Sequence, residues 1–367
     1  MTNVKPRSIM SPGKYIGGRN VLADINKHVS YLGDSAFVIC DSFIFNNISA
    51  IFTKISNYAN FDLTAFSGEC SYQEIDRLTA VAKDKSYDMV IGIGGGKTLD
   101  TAKMVAFSLH LPIVICPTIA STDAPCIALS VLYKETGEFE RLHYLPKNPD
   151  MVLVDLGIIA NAPMRFFSAG IGDALATYFE ARACHDIDAI NQSGYRQCTV
   201  AYHVSTICYD VIKKNIDEAM LSIELHIITP AFEEMVDALI YLSGIGAESC
   251  GVAMAHAICN GMSVIELLHK RQHGEKVAFG LLVQLILEHG PKEELLTVIS
   301  LMKKARLPMT FASLGAAEIE PFAWRNVAEK ACQENESSHN MPKRFDANEV
   351  YEAILAADAL GTQYEKQ

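Results

Sequence analysis

Three consecutive glycines followed by a lysine form the first feature that could do chemistry. The segment MVIGIGGGKTLDTAK (89–103) has the pattern of a buried strand, then Gly94, Gly95 and Gly96, then a helix that opens at Lys97. Glycine lets backbone amides approach an anion closely, and a helix N-terminus adds a partial positive charge. The segment predicts a pyrophosphate cradle, with a tight turn that binds nothing as the alternative.

Two known nucleotide fingerprints do not fit this segment. The letters GKT at 96–98 resemble the end of a nucleoside-triphosphate loop, but that loop needs a glycine where Ile91 stands. The dinucleotide fingerprint G-x-G-x-x-G fails because Lys97 replaces its third glycine. The predicted cradle therefore depends on the physics of anion binding and on no named motif.

Histidine spacing alone does not identify a metal site. The chain has 11 histidines and no H-E-x-x-H motif, and His269 with His273 is the only pair spaced i, i+4. A single helical histidine such as His256 is more often a surface or satisfied core residue. Asp173 alone is typical of an acid favoured near a helix N-terminus. Spacing would pair His269 with His273 and leaves the ligands open.

The first half of the chain alternates strand and helix patterns. Helices are predicted at 71–85 and 97–110. Short runs that are almost entirely apolar are expected for parallel strands buried on both faces. These runs are AFVIC (36–40), MVIGIG (89–94), PIVIC (112–116), ALSVLY (128–133) and MVLVD (151–155).

After Pro163, long amphipathic patterns replace the strand-like runs, for example at 172–186, 229–248, 275–290 and 347–361. The prediction is an α/β N-terminal dinucleotide-binding domain at 1–162 and an all-α C-terminal domain at 163–367. The interface between two such domains is a common place for a ligand cleft. We therefore expect the active site between them.

Whole-chain properties narrow the partners. A formal charge of −12 over 367 residues disfavours nucleic acid, which is bound mainly through clustered Lys and Arg. The 10 cysteines include no C-x-x-C pair, as expected of reduced cytosolic thiols. The N-terminal residues lack the uninterrupted apolar stretch expected of a signal peptide, and no run of about 18 apolar residues occurs without a charge or a turn former. The expectation is a soluble, cytoplasmic protein with no membrane partner.

Eight segments spread over nearly the whole chain carry a more specific signal. They are SPGKYIGG (11–18), SGECSYQEIDRL (67–78), IGIGGGKTLDTAK (91–103), PTIASTDAPC (117–126), AGIGDALATYFEARAC (169–184), AHAICNG (255–261), HGEKVAFG (273–280) and HNMP (339–342). In this order they resemble the glycerol dehydrogenase family, part of the iron-containing alcohol dehydrogenase superfamily. The resemblance implies NAD binding by the α/β domain and an active site in the cleft.

The resemblance also implies the cofactor-binding positions. Gly94, Gly95, Gly96 and Lys97 would surround the pyrophosphate, Thr118 and Ser121 would line the next loop, Asp41 would contact the adenosine ribose, and Leu129 and Tyr133 would lie on the nicotinamide side. Ile127 stands where close relatives carry a serine, which puts one cofactor hydrogen bond of the family in question.

For the metal, the resemblance implies Asp173, His256 and His273 as ligands of one divalent ion, zinc or, alternatively, iron. It thus selects His256 over His269. Two imidazoles and one carboxylate leave positions open for substrate, as a catalytic site requires. Asp123, in STDAP, matches a family residue that touches substrate hydroxyls, although it could simply be a turn aspartate. His256 is expected to combine ligation with substrate contact.

The implied reaction is the NAD-dependent oxidation of a small polyol, glycerol to dihydroxyacetone, and its reverse. The nearest rival is a propanediol or simple alcohol dehydrogenase of the same superfamily, whose members usually carry more histidine ligands. A dehydroquinate synthase-like lyase needs a basic pocket, and the sequence shows no Lys and Arg cluster around Asp173 or His273. The third alternative is a non-catalytic scaffold protein that binds NAD. By analogy, a homo-oligomer is expected.

Overall fold

A computed structural model describes residues 5–55 and 60–365 of the chain. Its strands are β1 Arg7–Ser8, β2 Tyr15–Gly18, β3 Ser35–Asp41, β4 Asn60–Phe66, β5 Met89–Gly94, β6 Ile113–Pro117, β7 Leu129–Tyr133, β8 Phe139–Tyr144, β9 Met151–Asp155 and β10 Arg196–Gln197. Six of them form one parallel sheet in the order β2-β9-β6-β5-β3-β4. The two-residue strands β1 and β10 pair separately.

The sheet contains four of the five predicted strands, and β5 and β9 have the predicted bounds. The expectation that 128–133 is a parallel strand buried on both faces is wrong. That run forms β7, which pairs antiparallel with β8 in a separate hairpin. The physical difference is visible in burial, because residues of β7 alternate between buried and half-buried whereas all of β5 is buried.

α-Helices occur along the whole described part of the chain and account for most of its second half. They are α1 Ile25–Val29, α2 Phe45–Ile55, α3 Tyr72–Lys83, α4 Gly96–Leu109, α5 Leu156–Ala160, α6 Met164–Asp186, α7 Thr199–Glu224, α8 Pro230–Asp237, α9 Ser243–Cys250, α10 Met254–Gly261, α11 His273–Glu288, α12 Lys292–Lys304, α13 Pro321–Ala331 and α14 Ala347–Glu365. The predicted helix 229–248 is interrupted by a π-helical turn, Ala238–Leu242, of a kind frequent at functional sites.

The predicted fold class, an α/β part followed by a helical part, is confirmed. The parallel sheet ends at Asp155, and α6 opens the helical part at Met164. One hydrophobic cluster nevertheless runs from Phe37 in the sheet to Ile354 in α14. Because the core is continuous across residue 162, the division into 1–162 and 163–367 stays a prediction.

Among the described residues, no single helix has the length and apolar composition needed to cross a membrane. One pair, Pro230–Cys250 with Met254–Val264, meets that test only when the two helices are taken together across a bend of 97°.

Candidate active site

Asp173, His256 and His273 converge from three different helices, α6, α10 and α11. Asp173 Oδ1 lies 3.6 Å from His256 Nε2 and 3.4 Å from His273 Nε2. One ligand atom from each residue lies within 4.8 Å of the others. Ligands at about 2.1 Å around a tetrahedral ion stand about 3.4 Å apart, so the spacing suits a zinc-sized cation.

Glycines let these helices approach closely enough for the three side chains to meet. A Cβ on Gly274 would lie 1.8 Å from the carbonyl oxygen of Ala169, where α11 crosses α6. A Cβ on Gly280 would lie 2.3 Å from the carbonyl oxygen of Ala255, where α11 packs on α10. Backbone contact at both crossings brings His273 to Asp173 and His256 to His273.

The electrostatics of the cluster favour a bound cation. Asp173 is 2% exposed, and its Oδ1 has no hydrogen-bond partner among the described residues. A buried acceptor left unpaired is costly. Burial by itself would lower the pKa of His273, but Cys259 and Asp173 outweigh burial and raise it to about 10. The residues present therefore fit a divalent metal ion, which would give Asp173 Oδ1 its missing partner.

Glu180 orients His256 and was missed by the sequence analysis. Its side chain is fully buried, and Oε2 lies 2.6 Å from His256 Nδ1. Oε1 accepts hydrogen bonds from the backbone amides of Ala253, at 2.7 Å, and His256, at 2.9 Å. A carboxylate at Nδ1 keeps the proton there and leaves the Nε2 lone pair free for a metal. The available signal was the shared face of α6, because Glu180 follows Asp173 by seven residues.

The pairing suggested by spacing alone is not the one the structure makes. His269 lies in the short 3-10 helix Glu266–Lys270, and its Nε2 lies 2.8 Å from the carbonyl oxygen of Ser263. His273 Nδ1 lies 3.5 Å from the buried Cys259 sulfur. His273 joins the cluster through Nε2, and His269 stays outside it.

Asp123 lies beside the cluster, where the loop after β6 meets α6 and α9. Its backbone amide donates to Asp173 Oδ2 at 3.4 Å, and its own Oδ2 accepts from Ser243 Oγ at 3.5 Å. Burial and the negative charge of Asp173 raise the pKa of Asp123 to about 7. A carboxyl group with that pKa can accept or release a proton near neutral pH.

The glycine-rich turn lies at the carboxyl edge of the sheet, between β5 and α4. The backbone amide of Thr118 donates to the Gly94 carbonyl at 3.0 Å. Asp41 ends the neighbouring strand β3, and its Oδ2 accepts from Thr98 Oγ1 at 3.4 Å. A Cβ on Gly96 would meet nothing within 4 Å, so open space faces the N-terminus of α4. That space suits an anion held by backbone amides.

The other residues predicted to bind the cofactor lie at the start of α4, in the loop between β6 and β7, and in β7. Lys97 at the start of α4 pairs with Glu69 at 2.7 Å, and its ammonium lies 4.7 Å from the centre of the Tyr133 ring. Ser121 and Ile127 are buried in the loop between β6 and β7, and Leu129 begins β7. The Ile127 side chain has no polar group with which to hydrogen-bond a cofactor.

Lys103 anchors the loop that carries these residues, and sequence analysis missed this contact. Lys103 is 1% exposed, and its ammonium donates to Asp100 at 3.0 Å, to the Ala124 carbonyl at 2.7 Å and to the Leu129 carbonyl at 2.8 Å. The loop beside Asp123 is thus tied to α4. The available signal was a pair of opposite charges spaced i, i+3 in α4, Asp100 and Lys103.

A pocket with three basic lining residues lies beside the start of α11. Arg165, Lys270 and Arg271 line it together with Gln272, the residue before His273, but Asp173 and His273 do not. Arg165 comes from α6, about 100 residues earlier in the chain, so only folding could bring it there.

A glycine turn at the carboxyl edge of a parallel sheet and a cluster of one carboxylate and two imidazoles are the two parts that a metal- and dinucleotide-dependent oxidoreductase needs. Residues 12–156 match the family model described as iron-containing alcohol dehydrogenase. Together with the full-length similarity reported next, this shows that the chain belongs to that family.

Within the family, the chain is similar to glycerol dehydrogenase from Escherichia coli, with 46% identity over 98% of both chains. It is 38% identical to a glycolaldehyde reductase from Halobacterium salinarum, over 96% of this chain and 97% of that one. The crystal structure of glycerol dehydrogenase from Schizosaccharomyces pombe superposes with a TM-score of 0.94 at 36% identity, covering 99% of this chain and 93% of the other. The resemblance stated from the eight segments is confirmed.

Proposed function

We propose that this protein oxidises glycerol to dihydroxyacetone with NAD and catalyses the reverse reaction. The observation that carries the proposal is the full-length similarity to glycerol dehydrogenase, at 46% identity. Reduction of glycolaldehyde is the second candidate, because the chain is also similar to a glycolaldehyde reductase, at the lower identity of 38%. The geometry of the site supports a reaction of this class, because Asp173, His256 and His273 form a cluster suited to a metal ion and the glycine turn before α4 is suited to an anion.

Asp173, His256 and His273 would hold the metal ion, zinc or alternatively iron. When bound, the ion supplies a Lewis acid that lowers the pKa of a substrate hydroxyl, and NAD supplies the hydride acceptor. Three protein ligands would leave room on the ion for a polyol substrate. Glu180 holds the His256 ring in place for both ligation and substrate contact.

Asp123 would orient a substrate hydroxyl and take up its proton. It is buried beside Asp173, and burial with that neighbouring charge raises its pKa to about 7. On the cofactor side, Gly94, Gly95, Gly96 and Lys97 would surround the pyrophosphate. Asp41 would accept hydrogen bonds from the adenosine ribose, and the loop tied down by Lys103 would cover the nicotinamide.

The deciding experiment is metal analysis combined with an NAD-linked assay on a substrate panel. Glycerol, 1,2-propanediol, 1,3-propanediol and ethanol are assayed by NADH formation, and dihydroxyacetone and glycolaldehyde by NADH consumption. The proposal expects the highest kcat/KM for glycerol and dihydroxyacetone. A clear preference for glycolaldehyde, or no net NADH from any alcohol, would reject it, and the second result would favour a lyase.

Ligand variants test the metal cluster separately. Asp173→Asn and His273→Ala should lose bound metal and turnover while NAD binding, measured by fluorescence titration, persists. His269→Ala is the matched control. His269 Nε2 lies 2.8 Å from the Ser263 carbonyl oxygen, outside the cluster, so this variant should retain both bound metal and turnover. Wild-type turnover by a metal-free Asp173→Asn enzyme would show that the cluster is not required for catalysis.

A further inference from the structure

A pocket of about 510 Å³ lies beside the N-terminus of α11, the helix that begins with His273. Its cationic lining comes from separate elements: Arg165 from the first turn of α6, Lys270 from the end of the short 3-10 helix, and Arg271 just after it. None of Asp173, His256 and His273 lines the pocket. The pocket is therefore a neighbour of the metal cluster and separate from it.

The pocket carries a net positive charge inside an acidic protein. Its one acidic lining residue, Glu275, already accepts a hydrogen bond from the backbone amide of Gln272 at 2.9 Å. Within residues 5–55 and 60–365, none of the three cations forms an ion pair or donates a side-chain hydrogen bond to the protein. In the adjoining pocket of about 170 Å³, by contrast, Arg306 is paired with Glu224 at 3.0 Å.

The Arg271 guanidinium lies against Gly315 at this pocket. Gly315 has a φ of +74°, and a Cβ there would lie 2.4 Å from Arg271 Nη2. A φ of +74° favours glycine, and the absence of a Cβ leaves room for the guanidinium beside it. A guanidinium has five N–H donors in a planar fork that matches the oxygens of a phosphate group. Arg271 is thus placed with its donors available for a ligand.

We infer that this pocket binds a small phosphorylated anion as a regulatory ligand. Two guanidinium groups and one ammonium supply the charge and the donors, and the N-terminal dipole of α11 favours an anion at the same place. Gln272 and Glu275 both line the pocket and cap the helix that starts with His273. A ligand there would contact the first turn of α11 and so influence where His273 is held.

Inorganic phosphate is the probe, titrated calorimetrically into the metal-loaded full-length enzyme at constant ionic strength. Saturable binding is expected for the wild type. In the double variant Arg165→Gln/Arg271→Gln the dissociation constant should rise by about tenfold or more, because two charge-assisted donors are removed. Arg344→Gln removes one charge from an exposed position outside the pocket and should bind as the wild type does. Melting temperatures check that each variant is folded.

Kinetics supply a second readout. Phosphate should change glycerol turnover without competing with glycerol, and the change should disappear in the double variant. The inference is overturned if the wild type shows no saturable binding, if the folded double variant binds phosphate as tightly, or if phosphate competes with glycerol in both proteins. Calorimetry needs no turnover, so phosphate binding by a chain that does not oxidise glycerol would reject the proposed function alone.

Discussion

Glu180→Gln is the substitution that most directly tests how the three candidate metal ligands are held in place. The change keeps the shape of the side chain but replaces one carboxylate oxygen with an NH₂ group. Two backbone amides, those of Ala253 and His256, donate to Oε1, so the remaining oxygen of glutamine should stay with them. The NH₂ group then occupies the position of Oε2, facing His256 Nδ1.

An amide NH₂ at that position would reverse the hydrogen bond to His256. It donates to Nδ1, which favours the tautomer with its proton on Nε2, and a protonated Nε2 has no lone pair for the metal. Loss of such a partner behind a metal-bound histidine typically costs 10–100-fold in affinity, or about 1.4–2.7 kcal/mol. We expect zinc affinity to fall within that range while NAD affinity is unchanged.

The assay is competition for zinc against a chromophoric chelator, using apo-protein reloaded with metal. Glu248→Gln is the matched control, because Glu248 is also a buried carboxylate but accepts from the Ala128 amide at 3.1 Å and the Asn148 side chain at 2.5 Å, away from the cluster. The control should keep its zinc affinity. If folded Glu180→Gln binds zinc within twofold of the wild type, the assigned role of Glu180 is wrong.

Three further outcomes are expected. Gly274→Ala places a Cβ 1.8 Å from the Ala169 carbonyl, so thermal unfolding should show a loss of about 1–3 kcal/mol or more, and an unchanged melting temperature would contradict the close crossing. Gly95→Val should sharply raise the KM for NAD by blocking approach to the backbone, and an unchanged KM would count against the cradle. Lys103→Met leaves Asp100 buried without its cation and should cost about 3–5 kcal/mol in denaturant unfolding. Adding Asp100→Asn should recover part of that loss, and no recovery would contradict the pairing.

Local patterns predicted much of the sheet and several helices. A strand such as Met89–Gly94 is apolar throughout because both of its faces are covered, and this leaves a signal in consecutive residues. The run 128–133 shows where the signal fails. Apolar composition does not reveal which partner a strand pairs with, and β7 pairs with β8 outside the main sheet.

The glycine turn could be predicted from the sequence because it is one continuous segment. Strand, glycines and helix start follow one another, and each has its own residue preference. Sequence spacing could not predict which residues lie beside the turn. Asp41 and Thr118 come beside Gly94 only because β3, β5 and β6 are adjacent in the sheet order.

By itself, the sequence determined the alternation of elements, and it predicted an anion cradle at the glycine turn and, through resemblance to a family, three candidate metal ligands. Only the tertiary structure decided that Asp173 and His273 stand 3.4 Å apart, that Glu180 lies behind His256, and that Arg165 faces the same pocket as Arg271. Local patterns depend on hydrogen bonds and burial within a few residues of the chain. Contacts between residues about 100 positions apart depend instead on how closely α6, α10 and α11 can cross, which the glycines permit and no spacing rule encodes.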